Sequence, residues 1–252
     1  MNPPDGLQKT LFDLTETIKQ SVFITPHKAG WPFIIGFAVA SLLISLIWDG
    51  FILIGLVLTL WCVYFFRDPA RIVPTRDGLV ISPADGVVTA ISEGSALPRE
   101  LRDSTVIDDD DGDYTRVSIF LNVFNVHVNR NPISGVVKKL VYKPGLFLNA
   151  GDARASFENE RCAALVQHES GKELAVVQIA GLIARRILCD LQEGQDVKMG
   201  DRYGIIRFGS RVDVYLPLGV APLVAIGQTM IGGESIIADF ASSEPARDTQ
   251  II

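Results

Sequence analysis

The chain has 252 residues, 48% of them hydrophobic and 21% charged, with a formal net charge of −6 and a mean hydropathy of +0.29. The acidic balance excludes a protein that tracks nucleic-acid phosphates, and the charged fraction excludes membrane helices throughout. Three cysteines without a CxxC spacing and three histidines without HExxH or ligand-spaced clustering point away from a disulfide framework and from a resident metal.

Residues 1–30 are polar, are broken by Pro3, Pro4 and Pro26, and lack the basic start and cleavage signature of a signal peptide, so they read as a cytoplasmic leader. Residues 31–66 are almost wholly apolar apart from serines and the Trp48-Asp49-Gly50 interruption. One straight helix of that length would run on the order of 54 Å, against a hydrocarbon core of ~30 Å. Division at Asp49-Gly50 gives two segments of roughly 16 to 18 residues, each near the short end of what can span. A membrane-embedded helical hairpin is therefore predicted, its turn at the far interface because an aspartate at mid-bilayer costs roughly 2.5–3.5 kcal/mol. Lys19 and Lys28 before it and Arg67, Arg71 and Arg76 after it place both open ends on the cytoplasmic face of the inner membrane.

Beyond Phe66-Arg67-Asp68-Pro69 the composition changes. Short runs rich in Val, Ile, Leu, Phe and Tyr occur at 79–81, 87–91, 115–121, 126–128, 136–142, 174–179 and 205–216, separated by Asp-Gly, Ser-Gly and Pro-Gly turns. The fold class is α+β and mainly β: a β-rich domain over 67–241 behind the hairpin, with a polar tail at 242–252. One short helix is expected near Ala155 to Val166, and the acidic run Asp108 to Asp113 reads as a solvated loop. His168, before Ser170-Gly171-Lys172, reads as an exposed turn residue.

The run from Ile205 to Pro217 alternates as a strand, with Phe208, Ser210, Val212, Val214 and Leu216 on one parity; Gly209 and Ser210 are out of character in it. A glycine there marks a bulge or a close backbone approach. In Asn125-Val126-His127-Val128-Asn129, alternation sets His127 with the asparagines on a polar face, directed to a site or to solvent. Asp85, in Ser82-Pro83-Ala84-Asp85-Gly86, reads by itself as a hairpin-turn residue.

Arg207-Phe208-Gly209-Ser210-Arg211-Val212-Asp213-Val214-Tyr215-Leu216-Pro217 resembles the processing site of the short bacterial phosphatidylserine decarboxylases. Tyr64 to Pro69, Ser82 to Gly86, Phe124 to Arg130, Glu158 to Arg161 and Gln178 to Arg186 resemble the same family in the same order, so the resemblance runs from about Trp31 to Phe240.

It implies an enzyme that cuts itself between Gly209 and Ser210 and turns Ser210 into a covalent pyruvoyl cofactor. The ketone then forms a Schiff base with the amine of phosphatidylserine and acts as electron sink for loss of CO2, giving phosphatidylethanolamine in phospholipid biosynthesis. In this scheme Ser210 attacks the Gly209 carbonyl, His127 is the base, and Asp85 orients and charge-stabilises the histidine. Longer relatives carry a second histidine three positions after the first, where this chain has Arg130, so His127 is expected to serve both self-cleavage and protonation. Arg161, Arg185 and Arg186 are candidates for the substrate phosphate or carboxylate, since a guanidinium fork suits both. Glu158 and Asn149 resemble family positions without an assigned task, while Gln228 and Glu234 are expected to line the pocket. The implied partners are the membrane and a phospholipid substrate, with large and small chains remaining associated. Self-association is compatible with the sequence, which leaves oligomeric state and acyl-chain preference open. Two other readings stand beside it: a membrane-anchored barrel-sandwich carrier or adaptor, by analogy of fold, and a pyruvoyl decarboxylase of another amino-acid head group, which keeps the implied chemistry and changes the substrate.

Overall fold

A computed structural model describes residues 24–48, 50–102, 114–152, 154–182, 186–207, 209–247 and 249–250. The chain forms two compact units, Met1–Ala70 and Arg71–Ile252. The leader up to residue 23, Asp49, the acidic run 108–113, Arg185 and Phe208 lie outside the described residues.

In the first unit a short 3-10 turn, capped by the His27 side chain accepting from the Ala29 N–H, leads into α1 (Trp31–Ser45), and α2 (Phe51–Phe65) follows. The two helices are the arms expected from the Asp49-Gly50 interruption. Neither has a polar stripe: Leu42, Ile47, Leu53 and Val57 are among many apolar side chains left exposed. Their hydroxyls are spent locally, Ser41, Ser45 and Thr59 each donating to a carbonyl of the preceding turn, which is how such side chains are tolerated without water. The arms approach closely at Gly55, where a Cβ would lie 2.3 Å from Ser41. Residues Lys28–Ser45 are long and apolar enough to cross a membrane; Phe51–Phe65 is equally apolar but shorter. At the base, His27 N–H donates to the Phe66 carbonyl (2.7 Å) and Asp68 N–H to that of Thr25 (3.1 Å), tying entry to exit.

The second unit is β-rich. Its elements are β1 (Leu79–Ile81), β2 (Gly86–Ser95), β3 (Tyr114–Leu121), β4 (Val128–Arg130), β5 (Gly135–Lys143), α3 (Ala155–Glu158), β6 (Arg161–Gln167), β7 (Glu173–Ala180), β8 (Ile187–Cys189), β9 (Asp196–Val197), β10 (Arg202–Ile206), β11 (Ser210–Pro217), β12 (Thr229–Met230) and β13 (Ile236–Asp239). An eight-stranded sheet runs β12-β2-β3-β11-β7-β6-β5-β9; β4-β10-β8 and β1-β13 form smaller sheets.

β11 lies between β3 and β7, antiparallel to both. Its side chains alternate as the sequence predicts: Val212, Val214 and Leu216 enter the main core with Ile119, Leu121, Val176 and Ile206. Tyr215 packs on the other face with Ile179, Val177 and Leu101.

Four sequence expectations are corrected. The run 205–217 is not one strand: β10 and β11 belong to different sheets, and Gly209, at φ +62°, turns the chain between them. Only Ala155–Glu158 is helical, because Arg161–Gln167 pairs on both sides with β5 and β7; burial between strands overrides the helical propensity of its alanines. The Asp85-Gly86 step does not close a hairpin, since β1 pairs with β13 and β2 with β3. His168 is buried, its Nδ1 accepting from the Ser170 N–H and its Nε2 donating to Asp77, whose carboxyl this bond holds low. Glu169 joins those two in a cluster of metal-ligand type, but both ring nitrogens of His168 are already engaged.

Candidate active site

Ser210 opens β11, paired with Leu121 on one side and Ala180 on the other. It is fully buried, and its Oγ has no hydrogen-bond partner among the described residues. A buried hydroxyl left in that state costs about 1–3 kcal/mol, and such an atom in a native fold asks for a chemical reason.

Gly209 precedes it in the left-handed region, which favours glycine. The Gly209 carbonyl packs over Gly181, where a Cβ would stand 2.0 Å from the carbonyl oxygen. Gly181 is therefore a glycine because the carbonyl at the proposed cleavage point occupies its side-chain space.

His127 is fully buried yet polar in its contacts. Its Nδ1 lies 2.9 Å from the Asn125 carbonyl, which can only accept, so the ring proton sits on Nδ1. Nε2 is left as the acceptor and receives the Gly209 N–H at 3.2 Å. The imidazole is thus held against the Gly209 amide, one residue before Ser210, in the tautomer a general base requires.

Asp85 is held differently. Arg71 donates to both carboxylate oxygens at 2.8 Å, and the Gly232 N–H donates to Oδ1 at 2.8 Å. Glu234 stands by the same guanidinium at 4.0 Å and accepts from the Ile72 N–H. The loop carrying Asp85 is tied to β4 by Arg130 N–H donating to the Pro83 carbonyl at 2.9 Å, but the bonds of the carboxylate go to Arg71 and Gly232, and it is the Asn125 carbonyl that orients the His127 ring.

The structure thus brings His127, Gly209 and Ser210 together, with Asp85 anchored nearby on Arg71. It separates Arg161 from them. Arg161 pairs in register with Ile179, itself opposite Arg211, which sets it on the sheet face opposite Ser210. There its guanidinium is bonded to Glu100 and to the Phe157 carbonyl (2.7 Å). Burial pushes the Glu100 carboxyl up, but the Arg161 bonds outweigh it and hold it below its ordinary value. Arg186 is exposed and adjoins Arg207, whose N–H donates to the Arg186 carbonyl at 3.4 Å. Burial and the Arg186 charge together lower the Arg207 guanidinium. Gln228 is an exposed turn residue bonded to the Ala225 N–H, Asn149 accepts from the Gly151 N–H, and Glu158 is exposed.

Sequence reasoning did not single out Arg71, Gly181 or Arg207. It also missed the buried Arg211–Asp213 pair, which fixes β11 to the 150–156 segment through the Ala150 carbonyl. An Arg and an Asp two apart on one strand was the available signal for that pair.

The profile of the phosphatidylserine decarboxylase family matches residues 58–238. Two relatives, each named phosphatidylserine decarboxylase proenzyme, align over nearly the whole chain. That of Paramagnetospirillum magneticum is 51% identical over 225 residues, covering 89% of this chain and 91% of the relative. That of Cereibacter sphaeroides is 53% identical over 228 residues, covering 90% and 95%. With the match spanning most of the β-rich unit and Gly209-Ser210 inside it, the chain belongs to the phosphatidylserine decarboxylase family.

Proposed function

We propose that the chain is a self-processing decarboxylase that converts phosphatidylserine to phosphatidylethanolamine and CO2 at a membrane. The observation that carries this reading is the buried Ser210 hydroxyl, without a hydrogen-bond partner among the described residues, beside a left-handed glycine whose amide donates to His127 Nε2.

In the proposed cleavage His127 Nε2 takes the Ser210 proton, and Oγ attacks the Gly209 carbonyl. The Gly209–Ser210 C–N bond breaks as the ester forms, the proton passing to the released amine. Loss of the Ser210 α-proton then expels the Gly209 carboxylate and leaves dehydroalanine. Water hydrolyses this residue after tautomerisation to the imine, releasing ammonia and leaving a pyruvoyl group. Asp85, fixed by Arg71, supplies a negative charge as the imidazolium forms.

The orphaned Ser210 hydroxyl fits this origin of the cofactor: the oxygen that must attack and then leave with the Gly209 carboxylate is already enclosed and has no structural bond to lose. The pyruvoyl group supplies an electron sink for decarboxylation once the substrate amine has condensed with it. The chain's own residues bind and move protons: in this reading the exposed Arg186 receives a phosphate, and His127 delivers a proton to the reacting carbon. The exposed apolar helices α1 and α2 supply membrane attachment, with the flanking cations directing the β-rich unit to the cytoplasmic face.

Intact masses of wild type and Ser210→Ala, purified side by side and denatured, test the reading. Two chains from wild type, the smaller beginning at residue 210 with a ketone for its amine, and one uncut chain from the variant are expected. A single unmodified chain in both would remove the electron sink and leave the carrier reading.

A further inference from the structure

The last shared row of β3, β11 and β7 is Leu121, Ser210 and Ala180, and the loops just beyond it share a chemistry. Past Leu121 the chain turns through Asn122–Asn125. The turn is fixed by Asn122 N–H donating to Asn125 Oδ1 (2.9 Å) and Phe124 N–H donating to Asn122 Oδ1 (2.8 Å), and it leaves Phe124 62% exposed. Past Ala180 the chain reaches Leu182, 65% exposed. Leu146, 55% exposed, bridges Asn159, whose side-chain amide donates to the Ala180 carbonyl at 2.7 Å.

Single exposed apolar side chains are ordinary, but here three lie on loops beyond one end of the sheet, the end that carries the reactive peptide. The adjoining cations Arg186 and Arg207 stand at the same end, joined by the Arg207 N–H donating to the Arg186 carbonyl at 3.4 Å. Like charges held together beside apolar tips complement a surface that is anionic outside and apolar just beneath, which is the layering of a phospholipid interface.

We propose that this end of the eight-stranded sheet is a docking surface for a phospholipid bilayer. Phe124, Leu146 and Leu182 enter the boundary between headgroups and acyl chains, Arg186 and Arg207 meet the phosphate layer, and the N-terminal end of β11 opens toward the headgroups. The proposal rests on the decarboxylase reading and adds the route by which a bilayer lipid reaches the site. It gives the β-rich unit an orientation at the membrane that attachment by α1 and α2 does not by itself supply.

The test uses the full chain with Phe124→Ser and Leu182→Ser combined. CO2 release is measured from phosphatidylserine in phosphatidylcholine vesicles and from a short-chain phosphatidylserine dispersed as monomers. Leu218→Ser is the control, since Leu218 is 78% exposed just beyond the opposite end of β11. The double variant is expected to cleave fully, to keep its short-chain rate, and to lose kcat/KM on vesicles on the order of ten-fold, equivalent to about 1.4 kcal/mol; the control changes neither. An equal loss on both substrates would make these side chains part of the reaction site and overturn docking. A vesicle loss shared by Leu218→Ser, or no vesicle loss, would overturn it too. The wild-type rate on the short-chain lipid tests the decarboxylase reading independently.

Discussion

The two faces of the sheet around β11 treat polar groups in opposite ways. On one face Arg161 with Glu100 and Arg211 with Asp213 are buried as ion pairs, with guanidinium donors also spent on the Phe157 and Ala150 carbonyls. On the other, at the start of the same strand, Ser210 Oγ is buried with no partner among the described residues. Charges that are matched hold the fold; a hydroxyl kept away from water and from partners is held for reaction. Burial alone does not distinguish the two, and neither does a missing partner by itself, since the buried Tyr203 hydroxyl also lacks one among the described residues; at Ser210 the missing partner coincides with the left-handed Gly209 peptide and the His127 ring.

Substitutions on the two faces should therefore separate cleavage from stability. His127→Ala removes the acceptor for the Gly209 amide and the base for Ser210, and is expected to leave no cleaved product in a denaturing gel while still folding, with a lowered melting temperature because a buried ring is lost. A fully cleaved variant would end the assignment of His127. Arg161→Ala leaves the half-buried Glu100 carboxylate without its partner, an expected loss of about 1–3 kcal/mol in denaturant unfolding of the precursor form. Cleavage of the protein that remains folded should proceed at the wild-type rate, and slowed cleavage would tie this face to the chemistry. Gly181→Ala pushes a methyl into the Gly209 carbonyl and is expected to slow cleavage about a hundred-fold, the cost of misplacing a reacting atom by about 1 Å. A time course after denaturation and refolding would measure it.

The smallest effect concerns acid. The Glu100 carboxyl is held below its ordinary value in the folded state, so its contribution to stability is present above the ordinary carboxylate range and fades as pH falls through the lowered value. Glu100→Gln should flatten the acid limb of stability against pH; an unchanged limb would place the acid sensitivity elsewhere.

How much of this was legible in the sequence depended on range. Ser210 and Gly209 stand out through one local motif and the family it resembles, whereas the polar face that alternation assigns to His127 is not seen, since strand begins only at Val128 and Val126, His127, Val128 and Asn129 are all buried. The split of 205–217 into two strands is not legible locally, since both halves keep the alternating pattern and only pairing with different partners separates them. Arg161 looks like any arginine until Glu100, remote in sequence, is folded onto it. Gly181 reads as a turn glycine until the register between β7 and β11 sets it against the Gly209 carbonyl. Asp85 was visible, but its anchor Arg71 lies in a stretch without strand or helix signals.

The pairing of β11, β12 and β13 has a consequence for folding kinetics. Each of these strands is bonded to strands that precede residue 209: β11 to β3 and β7, β12 to β2, β13 to β1. A cut at Gly209–Ser210 would leave the small chain woven through the large one at three places, and dissociation would require both to unfold. The precursor, in contrast, assembles this weave as one molecule at a rate independent of concentration. Once cut, a denatured pair must find each other again, so recovery becomes second order and apparent stability rises with protein concentration. The uncut chain is then the form that folds efficiently, and the cut form is one whose persistence rests on a slow escape.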